Sequence, residues 1–179
     1  MPKQTIESHI KETLAGDTRK NALDFVAFLL ANEMQFERGE GYWKDKLYWC
    51  IKHENESVCY LLLNSPKENL KPWTIWSDDS GSNCFEDCSL DEYMKEIAWD
   101  NVDFCGNCGG DCSPGTRKVV FGKEFNNVCR AAMRFTNPDA ETVECMKKLV
   151  EIRKNHIDLS TSTSHNRPLS SNRIIRLRP

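Results

Sequence analysis

Two apolar runs, Leu47-Tyr-Trp-Cys-Ile-Lys-His53 and Ser57-Val-Cys-Tyr-Leu-Leu-Leu63, are joined by the short polar step His53-Glu-Asn-Glu56. In the first run Leu47, Trp49 and Ile51 alternate with Tyr48, Cys50 and Lys52, the two-residue period of a strand with one buried face. Both runs are rich in β-branched and aromatic residues, and the step between them suits a hairpin turn. An antiparallel pair is therefore expected at 47–63. The triple Leu61-Leu-Leu63 predicts burial on both faces of its strand, because consecutive strand residues point to opposite sides.

The hairpin is flanked by helical patterns. Ile6, Ile10 and Leu14 recur every four residues, giving a short helix that ends near Gly16. Asp17 or Thr18 is placed to cap a second helix running to about Glu33, with Leu23, Val26, Phe28, Leu29 and Leu30 as its apolar face. Trp73–Ser77, after Pro72, reads as a third strand. Ser89 and Glu92 form an S-x-x-E box that opens a helix from Leu90 to about Val102, with Tyr93, Met94, Ile97 and Ala98 inward. Strands are expected at Arg117–Phe121 and near Val128–Phe135. Asn137-Pro138 caps a last helix to about Asn155, with Val143, Met146, Leu149 and Val150 inward. Together these predict an α+β fold in one domain: a small, mainly antiparallel sheet against N-terminal, central and C-terminal helices. A chain of 179 residues is long enough to bury such a core without disulfides.

Charge divides the chain. The net charge of −3 combines −7 over residues 1–158 with four arginines and no acid over 159–179. An acidic body argues against nucleic-acid binding, since affinity for phosphate needs clustered cations. Residues 159–179 are Ser/Thr-rich and aperiodic, so a disordered basic tail is expected there, with a weak anionic partner, RNA or an acidic protein, as the role open to it. The apolar run Phe25–Ala31 is too short to span a bilayer. The start Met-Pro-Lys-Gln-Thr-Ile-Glu lacks signal-peptide features, so a cytoplasmic location is expected. In a reducing compartment nine cysteines read as thiols or metal ligands.

Chemistry concentrates in Phe104-Cys-Gly-Asn-Cys-Gly-Gly-Asp-Cys-Ser-Pro-Gly115. Cys105-x-x-Cys108 has the spacing that lets two thiolates reach one zinc, and Gly109 frees the backbone to turn its amides toward sulfur. Cys112 offers a third ligand. The fourth is open between the pair Cys84/Cys88 and Cys129. Two other readings stand beside zinc: a turn with free thiols, and a redox pair Cys105/Cys108, although the latter follows a helix end where no dipole lowers a thiol pKa. Cys50, Cys59 and Cys145 lie among apolar residues and read as packing. Five tryptophans punctuate the chain. Of these Trp49, Trp73, Trp76 and Trp99 read as core or, more sharply, as a pocket for a cationic or flat aromatic ligand. Trp73 and Trp76, three apart on a strand, must face opposite sides of the sheet. The run Asp78-Asp-Ser-Gly-Ser-Asn83 lacks the glycine and glutamate positions of a calcium loop and reads as a solvated acidic loop. The four histidines show no metal or catalytic spacing, and there is no phosphate loop, dinucleotide fingerprint or G-x-S-x-G.

The segments Trp73–Trp76, Lys95–Trp99, Phe104–Gly115, Phe121-Gly-Lys-Glu-Phe125 and Asn127-Val-Cys129 resemble a set of small uncharacterised cysteine-containing proteins of clostridia and related Firmicutes. The resemblance covers about residues 5–157 and stops before the arginine tail. It implies a bacterial, anaerobic, cytoplasmic setting and brings no activity with it. Because Cys129 belongs to the similar segments and Cys84/Cys88 do not, it implies the zinc ligand set Cys105, Cys108, Cys112 and Cys129, with Cys84 and Cys88 as the substitute pair. The expectation is a non-enzymatic binding module with a cysteine-held zinc, against a thiol redox protein or sensor at Cys105/Cys108, or a small-molecule binding domain using the tryptophans.

Overall fold

The computed structural model describes residues 5–40, 47–63, 72–79, 81–106 and 114–165. Helices α1 (Ile6–Thr13) and α2 (Gly16–Ala31) come first, then strands β1 (Gln35–Arg38), β2 (Leu47–His53), β3 (Glu56–Leu63) and β4 (Trp73–Ser77). Helix α3 (Glu92–Asp100), strands β5 (Val102–Phe104), β6 (Thr116–Val120) and β7 (Lys123–Thr136), and helix α4 (Ala140–His165) follow. Among the described residues this is an α+β fold with one antiparallel sheet in the order β1-β2-β3-β4-β7-β5. Residue Val128 of β7 is partnered by Phe104 on one side and Thr116 on the other, so β6 lies along the same edge of β7 as β4. The long strand β7 thus carries two short strands end to end on one edge.

The hairpin forms as its alternation predicts. Glu54 and Asn55 both adopt positive φ (48° and 66°), the conformation a two-residue turn with right-handed strand twist requires. Leu61 and Leu63 enter the main core while Leu62 joins a separate cluster on the opposite face.

Several boundaries differ from expectation for local reasons. Helix α2 starts at Gly16 with no side-chain cap, so Asp17 sits inside its first turn. Helix α3 is capped by Asp91, which accepts from Met94 N at 2.9 Å, two residues later than the Ser89–Glu92 box; Tyr93 is exposed. Asp139, and not Asn137, accepts the amide of Thr142 at the start of α4 (2.9 Å). Asn137 instead accepts from the amide of Trp73 at 3.1 Å. Strands β1 and β5 escaped the sequence pattern because each is short, three or four residues, and β1 is polar at an edge where no burial imposes alternation. Helix α4 continues through Leu159–His165, where a disordered tail was expected to begin at 159; Ser160, Thr161 and Ser162 each donate a side-chain hydroxyl to a carbonyl one turn back, which satisfies these polar residues within the helix. The rest of that tail, 166–179, lies outside the described residues.

All four helices pack on one face of the sheet. Ile10, Phe25, Leu29, Ala98, Met146 and Leu149 meet Ile51, Leu61, Ile75 and Phe135 there, each essentially fully buried. Tyr48, Leu62 and Trp76 form a second cluster on the other face, with Tyr60 and Ala131 against it. The wide apolar face read for α2 is therefore only partly core: Leu29 and Val26 are buried, whereas Leu30 is half exposed.

Candidate functional site

Three places carry the residues singled out by sequence. At the β5–β7 junction the Cys105 amide donates to Asn127 O at 2.8 Å, and Asn127 Nδ2 returns a bond to Cys105 O at 3.4 Å. Cys105 is thereby fixed at the end of β5, and Cys129 lies two residues farther along β7, buried. Gly115 makes the opposite approach possible: a Cβ there would stand 2.5 Å from the Asn127 carbonyl carbon, so no other residue lets the chain return this close. Cys108 and Cys112 lie outside the described residues. Among the described residues no group of three metal-ligating side chains comes together.

The register of β7 slips at this point. Val102 pairs with Met133 and Phe104 with Val128, so the single residue Asp103 of β5 lies opposite the four residues 129–132 of β7 and that stretch bulges. Asp103 faces it. Its carboxylate is buried, 3.5 Å from Arg134 Nε, and among the described residues neither oxygen has a hydrogen bond. Nothing in the pattern Val-Asp-Phe marks such a residue, because its neighbours come from a strand about thirty positions away.

The substitute pair Cys84/Cys88 occupies a different setting. Cys84 lies in the main core, and burial pushes its thiol up to about 11. Cys88 donates its thiol to the Cys84 carbonyl at 2.7 Å, and burial raises its pKa as well. Cys59 and Cys145 are fully buried, as packing residues should be, with Cys145 pushed up to about 12 by burial. Cys50 departs from that reading: it is half-buried on the face away from the helices, with Sγ 3.4 Å from Ser57 Oγ.

The four tryptophans are not brought into one pocket. Trp49 and Trp73 belong to the helix-facing core, Trp76 to the opposite cluster, as the three-residue offset predicts, and Trp99 packs from α3 with Nε1 donating to Val120 O at 2.7 Å. Lys123 Nζ stands 5.0 Å from the Trp99 ring, so the cation on that ring is the protein's own.

The acidic loop is solvated only in part: Gly81 and Asn83 are exposed, but its two carboxylates are not. Asp78 and Asp79 are 5% and 4% exposed. Asp78 accepts from Tyr60 Oη at 3.0 Å; Asp79 accepts from Gly81 N at 2.9 Å and from Lys118 Nζ at 2.6 Å, which ties the loop into the gap between β4 and β6. Polar groups this deep persist only with such partners.

On the same face as Trp76, the strand registers line up Glu37, Cys50, Tyr60, Trp76 and Arg134 in one row across β1, β2, β3, β4 and β7. Over the β1–β3 part of this row lies a groove of about 790 Å³, whose floor is Tyr48, Cys50 and Tyr60 and whose rim holds the ion pair Glu37–Lys52. Gly39 stands opposite Tyr48, its amide donating to Tyr48 O at 2.9 Å, and the phenol ring occupies the space a Cβ would need. Burial, then the Asp78 charge, raises the Tyr60 pKa; burial raises that of Cys50 against the pull of Ser57 and Lys52. Both stay protonated at neutral pH, so the groove floor is a binding surface without a thiolate or phenolate. Sequence reasoning missed this site, since only strand order joins its residues.

No protein-family model, curated protein or solved structure matches the chain. No helix among the described residues is long and apolar enough to cross a membrane.

Proposed function

We propose that this chain is a non-catalytic cytoplasmic binding module whose 105–112 segment is held by zinc through Cys105, Cys108, Cys112 and Cys129. The observation that supports the reading is the Cys105–Asn127 backbone hydrogen bond of 2.8 Å, which anchors the first cysteine of the loop two residues along β7 from Cys129. Two of the four donors then come from adjacent strands of one sheet, a rigid base onto which a glycine-rich segment can be drawn by a metal. Zinc takes thiolates in tetrahedral array, and its binding energy supplies the order that a segment with three glycines cannot obtain by packing. The substitute pair lies apart from this base: Cys84 sits in the main core, and Cys88 donates its thiol to the Cys84 carbonyl.

Metal analysis of protein purified under reducing conditions tests this. About one equivalent of zinc is expected, lowered by Cys105→Ser and by Cys129→Ser but not by Cys88→Ser. Less than about a tenth of an equivalent, with the loop thiols freely reactive, would overturn it. If those thiols instead form a reversible Cys105–Cys108 disulfide, the redox reading replaces it.

A further inference from the structure

The groove over β1–β3 is separate from the described part of the cysteine site, because neither Cys105 nor Cys129 lines it. Its recognition chemistry is visible in the way the protein fills it. Lys52 reaches across from β2 and places its ammonium on the Glu37 carboxylate of β1. Glu37 is 60% exposed and Lys52 30% exposed at the side chain, so the pair is screened by water and weak. An ammonium from solution can therefore take the place of the lysine at little cost.

Beneath this rim the half-buried Tyr60 ring lies beside Tyr48, and the Tyr60 hydroxyl donates to the buried carboxylate of Asp78 at 3.0 Å. Donation to a carboxylate enriches the phenol in electron density, and the face of an electron-rich ring attracts cations and repels anions. An anionic ligand would meet two cations here, Lys52, already engaged, and Arg38, but against them stand the carboxylates Glu37 and Glu40 on the rim, with Asp78 behind the floor. The volume of about 790 Å³ exceeds what a single-ring amine fills and lies in the range of small-molecule sites.

We propose that this groove is a binding site for a small aromatic or alkyl ammonium compound, with Glu37 accepting from the ammonium, Tyr60 and Tyr48 lying against its apolar part, and Lys52 acting as an internal competitor. Lys52 makes the proposal distinctive. Removing a residue from a site ordinarily weakens binding; here removal of the lysine should strengthen it.

Calorimetric titration of the full chain with 2-phenylethylammonium, against phenylacetate as the anionic counterpart, tests the site. Binding of the amine and not of the acid is expected. Glu37→Gln should weaken it about tenfold or more, as loss of a charged hydrogen bond does. Tyr60→Leu should weaken it about threefold. Lys52→Gln should tighten it about threefold. Both charge variants lie at an exposed rim and should keep the parent's urea midpoint, which separates loss of binding from loss of fold. Equal binding of phenylacetate, no heat with the amine up to about 10 mM, or a Lys52→Gln variant that binds the amine more weakly than the parent, would each overturn the proposal. Repeating the titration after chelation separates it from the zinc reading: the amine should bind equally well with the metal removed.

Discussion

The two faces of the sheet are built from alternate residues of the same strands, yet they have different chemistry. Toward the helices β2, β3, β4 and β7 present Trp49, Ile51, Leu61, Leu63, Ile75 and Phe135, all in one continuous core with α1 to α4. Away from them the same strands present Cys50, Tyr60, Trp76 and Arg134 in a row that begins at Glu37 and ends against Asp103. The first face holds the elements together by burying apolar area. The second places thiol, phenol, indole and opposite charges side by side, next to a much smaller buried cluster of Tyr48, Leu62 and Trp76. What this teaches is a division of labour: stability depends mainly on one set of alternate residues, and the other set has room for polar groups that recognition can use.

The sharpest way to break that division is to truncate one residue on each face. Phe135→Ala, at a fully buried ring, should cost about 3–5 kcal/mol by urea unfolding. Trp76→Ala, in a cluster of a few residues, should cost about 1–3 kcal/mol. Equal costs would mean that the second face is as structural as the first.

Asp103 sharpens the comparison at the far end of the row. Its carboxylate is 1% exposed and its partner Arg134 23% exposed. If the pair is structural, Asp103→Asn should destabilise by about 2–3 kcal/mol, and Asp103→Leu combined with Arg134→Leu should restore most of that. An asparagine variant more stable than the parent would show that the carboxylate is retained for chemistry at the cysteine junction.

The smallest effect concerns pH. Cys84 and Cys145, both on the helix side, have thiols pushed up to about 11 and about 12 by burial, against 9.0 for an ordinary thiol. Above pH 9 the unfolded chain loses these protons while the folded chain retains them. Stability is therefore whole below that pH and declines as pH rises toward 11 and 12. The urea midpoint should fall over this window, and Cys84→Ala with Cys145→Ala should flatten the decline. An unchanged slope in the double variant would place the alkaline sensitivity elsewhere.

Much of the architecture was legible in the residues, and the reasons are local. The 47–63 hairpin needed only alternation and a turn, and the inner face of α4, Val143, Met146, Leu149 and Val150, needed only the helical period. Caps were less legible. At α3 Asp91 takes the cap in place of Ser89, and at α4 Asp139 takes it while the side chain of Asn137 serves Trp73. The candidate sites were least legible. The cysteine spacing marked the 105–112 loop, but its junction with β7 depends on a bulge, and the groove depends on residues of three strands facing one way.

By itself the sequence determined that this chain would be α+β, that its hairpin would be buried on both sides at Leu61–Leu63, and that Trp73 and Trp76 would face apart. Each follows from the fixed geometry of neighbouring residues along one strand or helix. Only the tertiary structure decided that Asp78 and Asp79 would be buried with Tyr60 and Lys118, that Cys105 would be held near Cys129, and that Glu37, Cys50 and Tyr60 would share a groove. Those contacts join residues far apart in the chain, and what brings them together is the order and register of strands, which no local pattern encodes.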